Sequence, residues 1–286
     1  MKNSVLLTAG ETRVELYPDL GGAVARFTWR GKDVFRPSSP EATDVLETAN
    51  FALVPYCNRI PGGNFEFGGR KVHIEPNLLP QPHPLHGQGW RAAWNVEFTD
   101  EANATLSYAH APGEWPWPYV AKQTITVSER GLRQELSVTN TGDETMPAGL
   151  GFHPYFHAPA GTTLQAHVEG AWMIDDEILP TVHQPGAYGA DWTKGASVRL
   201  PELIDHCYTG WDQRAVLRQS GLVVTMTAPP RARWLHLYVP PGEDYLCVEP
   251  VTNRPNPFGG DGDSGMVTLK PGETLSTWMQ VDVSEG

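Results

Sequence analysis

The sequence is poor in cysteine and has no closely spaced pair of them. Cys57, Cys207 and Cys247 are odd in number and far apart, so neither a disulfide framework nor a CxxC motif is predicted. We therefore expect a reduced, cytoplasmic setting. The apolar run at the N-terminus is too short for the core of a signal peptide. No stretch approaches the ~20 apolar residues that a membrane-spanning helix needs.

Positive charge is also scarce. Lysine and arginine number 21 against 33 acidic residues, which gives a formal net charge of -12. This balance argues against nucleic acid and against an anionic membrane surface as partners. A neutral or cationic small ligand fits better, although a local basic pocket for an acidic or phosphorylated substrate stays open. The Walker loop, a GxGxxG after a strand and the GxSxG elbow are all missing.

The sequence does contain many short alternating runs. Its 29 glycines and 26 prolines fit a chain with many turns. Apolar residues recur with period two in the runs, which suits half-buried strands. Strands that follow one another without intervening helices indicate an all-β antiparallel sandwich or barrel. The predicted strands are 5–8, 12–17, 23–29, 65–67, 94–98, 104–108, 120–127, 132–138, 163–168, 215–218, 222–227, 234–239, 245–249 and 274–283.

A single domain over residues 1–286 is predicted. The chain has no internal repeat, low-complexity tract or clear linker. The loop-rich section 158–201 could be taken for a boundary, but the strand-like segments on its two sides do not differ in composition. Only residues 41–49 have helical spacing, and that stretch is short.

Two ionisable residues, His153 and Glu249, each precede a proline. The residue before a proline favours extended geometry, so both side chains should project sideways from a strand or a strand end. A histidine pKa near ~6.5 lets His153 act as donor or acceptor. An acid at the end of an apolar strand is either a solvated terminus or a buried group with a tuned pKa. A hydrogen-bonded core histidine and a solvated carboxylate are the plainer alternatives.

Three further segments could bind a ligand. Arg59, beside Asn58, offers five donors in a fork that suits adjacent hydroxyl or ring oxygens. His86 is followed by Gly-Gln-Gly and Trp90, a composition that allows close approach and supplies an aromatic face. Asp205 follows an apolar pair and precedes aromatic residues. An ion-pairing arginine and a glycine turn with a packed tryptophan are the structural alternatives.

A metal site is not predicted. His83 and His86 are three residues apart, so in a strand they would point to opposite faces. His153 and His157 would share a face but stand about 13 Å apart, too far for joint ligation. Neither pair belongs to an HExxH motif.

In this order, the segments resemble the aldose 1-epimerase (galactose mutarotase) family. The resemblance covers residues 58–250 and implies a large twisted β-sandwich, the galactose mutarotase-like supersandwich, with no metal or organic cofactor. It implies an isomerase that interconverts the α and β anomers of free aldoses such as galactose or glucose. The matching residues are Asn58-Arg59, Leu85-His86-Gly87, His153-Pro154-Tyr155-Phe156, Asp205 with Tyr208, and Glu249-Pro250.

The resemblance also implies roles for these residues. Glu249 would be the general base and His153 the general acid, while His86, Arg59 and Asp205 would position the substrate. Such a pair suits the reaction, because ring opening removes the proton of the C1 hydroxyl and gives one to the ring oxygen.

The identity of the sugar stays open. Trp90 is expected to cover an apolar sugar face, an inference from its residue type. Many family members carry a second glycine where this chain has Gln88. An acidic sugar would be favoured if Arg36, Arg91 or Lys71 faced the site.

Two other functions are considered. A glycoside hydrolase or lyase would use Glu249 and Asp205 as facing carboxylates, and a carbohydrate-binding protein would bind sugar without a rate effect. In each case the partner is a small monosaccharide or a related sugar. The oligomeric state, monomer or homodimer, is left open.

Overall fold

The computed structural model describes residues 3–260 and 262–286. Met1, Lys2 and Asp261, which belong to the predicted domain of residues 1–286, lie outside the described residues. Helical structure in the described chain is limited to three-residue 3₁₀ segments, Val45–Glu47, Pro61–Gly63, Gly89–Arg91 and Trp192–Lys194. None of the described segments has the length and apolarity of a helix that could cross a membrane.

The remaining regular structure consists of strands, numbered here in chain order. They are β1 (Val5–Ala9), β2 (Thr12–Tyr17), β3 (Ala23–Trp29), β4 (Lys32–Asp33), β5 (Ala52–Leu53), β6 (Asn64–Phe67), β7 (Arg70–His73), β8 (Asn95–Thr99), β9 (Asn103–His110), β10 (Tyr119–Ser128), β11 (Gly131–Asn140), β12 (Met146–Ala148), β13 (Gly151–Phe152), β14 (Tyr155–His157), β15 (Thr163–Ala166), β16 (Gly170–Ile174), β17 (Pro180–Pro185), β18 (Ala196–Ser197), β19 (Ile204–Thr209), β20 (Arg214–Gln219), β21 (Leu222–Thr227), β22 (Trp234–Val239), β23 (Tyr245–Val251), β24 (Val267–Leu269) and β25 (Thr274–Glu285).

Two large sheets form the sandwich. One has nine strands in the order β18-β15-β20-β21-β25-β11-β10-β9-β8, and the other has eight in the order β17-β16-β19-β22-β23-β13-β5, with β14 also paired to β23. Strands β1 to β4 make a smaller sheet, and β6-β7 and β12-β24 are two-stranded. Every pairing between described strands is antiparallel. The predicted all-β antiparallel sandwich is therefore confirmed.

The core lies between the sheets. A single cluster of buried apolar side chains contains Phe27 of β3, Leu136 of β11 and Leu237 of β22. Successive side chains of a strand point to opposite faces. Strands β22 and β23 of the eight-stranded sheet therefore send every second residue into this core and the others to the opposite face, where the candidate site lies.

The predicted strands all correspond to observed strands, with ends that differ by a few residues. In the section 158–201, β16 and β17 are hydrogen bonded into the eight-stranded sheet through β19. Strand β17 is almost wholly exposed and begins and ends with proline, so it has no apolar alternation to reveal it. The single-domain organisation stays a prediction.

The helical spacing of residues 41–49 produces only the 3₁₀ turn Val45–Glu47. Asp44 accepts from the backbone N–H of Leu46, and the Glu47 carboxylate accepts from the backbone of Asp44. This capping box starts a helical turn. The chain leaves it at once, because Thr48 is already extended and residues 52–53 join the large sheet.

Candidate active site

Two neighbouring strands present charged side chains on the outer face of the eight-stranded sheet. In β22, Leu235 and Leu237 enter the core, so His236 between them faces the other way. In β23, Val248 enters the core and Glu249 faces outward with His236. His236 and Glu249 are directly paired across the two strands. The alternation that buries the apolar residues therefore also places an imidazole beside a carboxylate.

His153 reaches the same place from the connection between β13 and β14, both of which pair with β23. Its backbone N–H donates to the Phe51 carbonyl at 3.0 Å. Its ring stacks between Phe51 and Tyr155, with centroids 4.7 and 4.8 Å away. The His153 Nε2 lies 3.3 Å from Glu249 Oε1. His153 and Glu249, each of which precedes a proline, are thus in contact.

A second edge of the site is a pair of tight turns at Asn58 and His86. Both have positive φ, 63° and 60°, a region in which asparagine and histidine are enriched among non-glycine residues. Each backbone N–H bonds the other residue: Asn58 donates to the His86 Nδ1 at 3.0 Å, and His86 donates to the Asn58 carbonyl at 3.1 Å. Because Nδ1 accepts, the neutral His86 ring carries its proton on Nε2.

Arg59, Asp205 and His236 form a buried chain of charges. The Asp205 carboxylate accepts from His236 Nε2 at 2.6 Å and lies 3.9 Å from Arg59 Nη2. The Asn58 side-chain oxygen also accepts from the Arg59 backbone at 2.8 Å, which orients the arginine. Positively charged groups flank Asp205, so this carboxylate is held in one place.

These side chains line a cavity of about 380 Å³, within the ~300–1,000 Å³ range of small-molecule pockets. The candidate residues in its wall are Asn58, Arg59, His86, His153, Asp205 and Glu249, each only 2% to 9% exposed. His236, Arg36, Tyr155, Tyr238 and Tyr245 complete the polar and aromatic part of the wall. Six of the seven residues proposed from the sequence therefore meet at one cavity.

Trp90 is the exception. It is fully buried and does not line the cavity, because its ring packs behind the site against Phe51 and His86, at centroid distances of 5.5 and 5.6 Å. The preceding Gly89 packs directly on Val54, and its backbone N–H donates to the Val54 carbonyl at 3.1 Å. Trp90 thus supports His86 from behind, in place of the expected contact with a sugar face.

His236 was not among the sequence candidates. A polar residue in the middle of the run Trp-Leu-His-Leu-Tyr is the signal that could have revealed it. Alternation predicts that such a residue faces away from the core. Its two apolar neighbours in sequence concealed it, because the whole run suits a buried strand.

Burial and neighbouring charges shift the pKa values of Glu249, His153, His236, Asp205 and His86. Burial raises the pKa of Glu249 to about 8, although the charge of His236 opposes the shift. Burial, followed by the charge of His236, lowers the pKa of His153 to about 3. Between these values the pair holds one proton, which rests on Glu249.

The pKa of His236 is raised, whereas that of His153 is lowered. Burial alone would lower the pKa of His236, but the charge of Glu249, once that residue is ionised, and the hydrogen bond to Asp205 raise it to about 10, so the ring is an imidazolium at neutral pH. Burial alone would raise the pKa of Asp205, and the hydrogen bond and charge of His236 outweigh it and lower the value. Burial, followed by His153 and Arg59, holds the pKa of His86 well below its usual range.

One group of potential metal ligands occurs at the site: atoms of His153, Cys247 and Glu249 lie within 4.8 Å of one another. A cysteine binds metal as a thiolate. Burial, followed by the charge of Glu249, raises the pKa of the Cys247 thiol well above its usual value. The donor set therefore fits an acid/base pair better than a metal.

A β-sandwich with a buried imidazole in contact with a carboxyl group, in a cavity of the size of a sugar, agrees with the class of protein that the sequence resemblance implies. The chain belongs to the aldose 1-epimerase family, whose family model, "Aldose 1-epimerase", matches residues 3–282. The predicted resemblance is confirmed.

The chain is also similar to individual proteins and to a solved structure. The chain is 28% identical to the uncharacterized protein YphB of Escherichia coli over 97% of both chains. It is also 30% identical to the maltose epimerase of Levilactobacillus brevis over 46% of this chain and 42% of that protein. A crystal structure of a putative aldose 1-epimerase from Escherichia coli superposes with a TM-score of 0.92 at 27% identity, covering 100% of both chains.

Proposed function

We propose that this protein is a mutarotase of aldoses in which Glu249 and His153 carry out the proton transfers. The observation that supports the proposal is the 3.3 Å contact between His153 Nε2 and Glu249 Oε1 in the wall of the cavity. The anomeric hydroxyl and the ring oxygen of an aldose are attached to the same carbon. An acid and a base in contact with each other can therefore reach both oxygens of one substrate.

The proton count of the reaction is balanced by this pair. The single proton first moves from Glu249 to His153 across their contact. The Glu249 carboxylate then takes the proton of the C1 hydroxyl while the His153 imidazolium protonates the ring oxygen, and the C1 to ring-oxygen bond breaks. Rotation about C1–C2 presents the other face of the aldehyde. Reclosure reverses both transfers and restores the pair.

The starting state differs from the one expected for a histidine acid. Because the pKa of His153 is lowered and that of Glu249 is raised, the resting pair is a neutral imidazole and a carboxylic acid. The mechanism needs one proton on the pair, and both arrangements satisfy this requirement. Each positioned proton-transfer group typically contributes ~10² to 10⁴ in rate.

The other polar residues of the wall are proposed to hold the sugar hydroxyls. The His86 Nε2–H and the Arg59 guanidinium are donors, and Asp205 is an acceptor. All three are largely buried and fixed by protein contacts, so the site requires little reorganisation when a sugar enters. The three cysteines are free and buried, which supports the cytoplasmic setting included in this proposal.

The test is anomer exchange followed by NMR or polarimetry on freshly dissolved α-glucose and α-galactose. Glu249→Gln and His153→Asn are expected to stay folded and to lose most of the acceleration, each by at least about 10²-fold. Glu97→Gln and His73→Asn are matched controls, because both residues lie in exposed ion pairs outside the cavity. An unchanged rate in either site variant would remove that residue from its assigned role. Sugar binding by the wild type with no acceleration would favour the binding-protein alternative.

A further inference from the structure

Arg36 is a cation in the wall of the cavity that contains Glu249 and His153. Its guanidinium carbon lies 3.9 Å from the ring centroid of Tyr155 and 4.5 Å from that of Tyr245. Its Nη2 donates to the Leu46 and Thr48 carbonyls, at 2.6 and 2.7 Å. Two aromatic rings and two carbonyls therefore hold the guanidinium in position before any substrate binds.

The neighbours of Arg36 locate it relative to His153. Tyr155 stacks on His153 at 4.8 Å and on Arg36 at 3.9 Å, so the guanidinium is at most about 9 Å from the His153 ring. In the proposed mechanism His153 protonates the ring oxygen. The atom bonded to that oxygen on the side away from C1 is C5. A substituent on C5 is thus attached next to the atom that His153 protonates, and a group at its end can reach Arg36, which is at most about 9 Å from the His153 ring.

The charges of the cavity favour an anion at that position. Arg59 and His236 share Asp205 as their acidic partner. Glu249, the other acid in the wall, keeps its proton up to about pH 8. Within the part of the chain that the structure describes, no ion pair involves Arg36. A protein of net charge -12 thus keeps an unneutralised cation inside its site.

Of the three basic residues considered from the sequence, only Arg36 is in a position to contact a sugar. Arg91 pairs with Asp44 and stacks on Trp90 outside the cavity. Lys71 lies exposed on β7, and it is not in the cavity wall either.

We propose that Arg36 binds an anionic group at the end of the C5 substituent, so that the preferred substrate is an acidic aldose. The inference rests on the proposed mutarotase function. A carboxylate at C6 and a phosphate ester on O6 share the required chemistry, a planar or tetrahedral oxyanion that accepts from a guanidinium. A neutral hydroxymethyl group would leave the charge of Arg36 without an anionic partner.

The first experiment measures kcat/KM of the wild type for glucose, glucuronate and glucose 6-phosphate by NMR exchange at anomeric equilibrium. At least one acidic sugar is expected to exceed glucose by about tenfold or more. A preference for glucuronate assigns the carboxylate, and a preference for glucose 6-phosphate assigns the phosphate. If glucose equals or exceeds both acidic sugars, the inference is wrong while the mutarotase function stands. If no aldose is accelerated, the mutarotase function itself is refuted.

The second experiment tests the residue. In Arg36→Gln the ratio of kcat/KM for the acidic sugar to that for glucose should fall by at least about tenfold, and Arg36→Lys should keep part of the preference because it keeps the charge. Arg133→Gln is the matched control, since Arg133 also stacks on a ring, that of Trp278, but lies outside the cavity. The control should leave the ratio unchanged. An equal loss for both sugars in Arg36→Gln would mean that Arg36 only supports the wall, and would overturn the assignment.

Discussion

Replacing His236 with glutamine tests whether a buried imidazolium controls the acid/base pair. His236 is 4% exposed, donates to Asp205 at 2.6 Å and is paired across the strands with Glu249. Glutamine keeps a hydrogen-bond donor but removes the positive charge. Because the charge of His236 lowers the pKa of Glu249, its removal should raise that pKa further above about 8. The alkaline limb of the rate profile is therefore expected to move to higher pH.

The His236→Gln substitution is also expected to lower the free energy of unfolding, because it removes the buried ion pair with Asp205. The pKa of His236 rises from 6.5 to about 10 on folding, and at ~1.4 kcal/mol per pKa unit this favours the charged ring by roughly 4–5 kcal/mol. Removing one partner of a buried ion pair typically costs about 3–5 kcal/mol. Since glutamine keeps a hydrogen bond and Arg59 still faces Asp205, we expect a loss near the lower end, about 3 kcal/mol.

The contribution of His236 to the free energy of unfolding depends on pH. A pKa raised by folding contributes stability that is fully present below the unfolded pKa of about 6.5 and is lost as the pH rises through about 10. The difference in unfolding free energy between wild type and His236→Gln should therefore be largest below pH 6.5 and shrink between pH 6.5 and 10.

The assay combines urea unfolding at several pH values with NMR exchange rates from pH 5 to 10. His206→Gln is the control, because His206 is buried on the adjacent strand but its pKa is lowered to about 4, first by burial, so it carries no charge at neutral pH. The control should leave the alkaline limb in place. An alkaline limb that stays fixed or moves to lower pH in His236→Gln would refute the electrostatic argument.

Two further outcomes are expected. In the wild type, kcat/KM corrected for the spontaneous reaction should be flat below pH 8 and fall about tenfold per unit above it, since the Glu249 pKa of about 8 marks the loss of the shared proton; a profile still flat at pH 9.5 would contradict this. Gly87→Ala should lower stability by several kcal/mol and impair catalysis. Its φ is 74° and a Cβ would lie 2.4 Å from the Val54 carbonyl, so the turn at His86 must move. Unfolding midpoints and exchange rates measure both effects, and a fully active, equally stable variant would show that the turn is not needed.

The strands with regular alternation were predictable from the sequence, because burial on one face leaves a period of two. The runs that became β22 and β23 show this directly. Several strands were missed. β17 is exposed along its length, and β5 and β13 contain two residues each, so these strands carry no alternating pattern. β19 is buried along nearly its whole length on both faces, so it shows no burial on alternate residues either.

The candidate site was predictable where a residue is exceptional in its local context. His153 and Glu249 each precede proline, and Arg59 and His86 stand in turns rich in glycine and proline. The role of His236 could not be predicted from its local sequence, because it depends on contacts with Asp205 on β19 and Glu249 on β23, which are distant in the chain. The burial of Trp90 could not be read from its residue type either, since an indole suits a ligand face and a packed interior equally well.

The architecture explains how one sheet carries both a hydrophobic core and a charged site. Leu235 and Leu237 pack into the hydrophobic core on the inner face of the sheet. His236 lies between them in the strand, so its side chain is on the outer face, where it interacts with charged groups. Loops that contain Arg59 and His86 cover part of that outer face, and His153 and Glu249 are only 9% and 2% exposed there. Burial away from water raises the pKa of the Glu249 carboxyl and lowers the pKa of the His153 imidazole. The covering loops therefore set the protonation state of the pair, and the strands set its geometry.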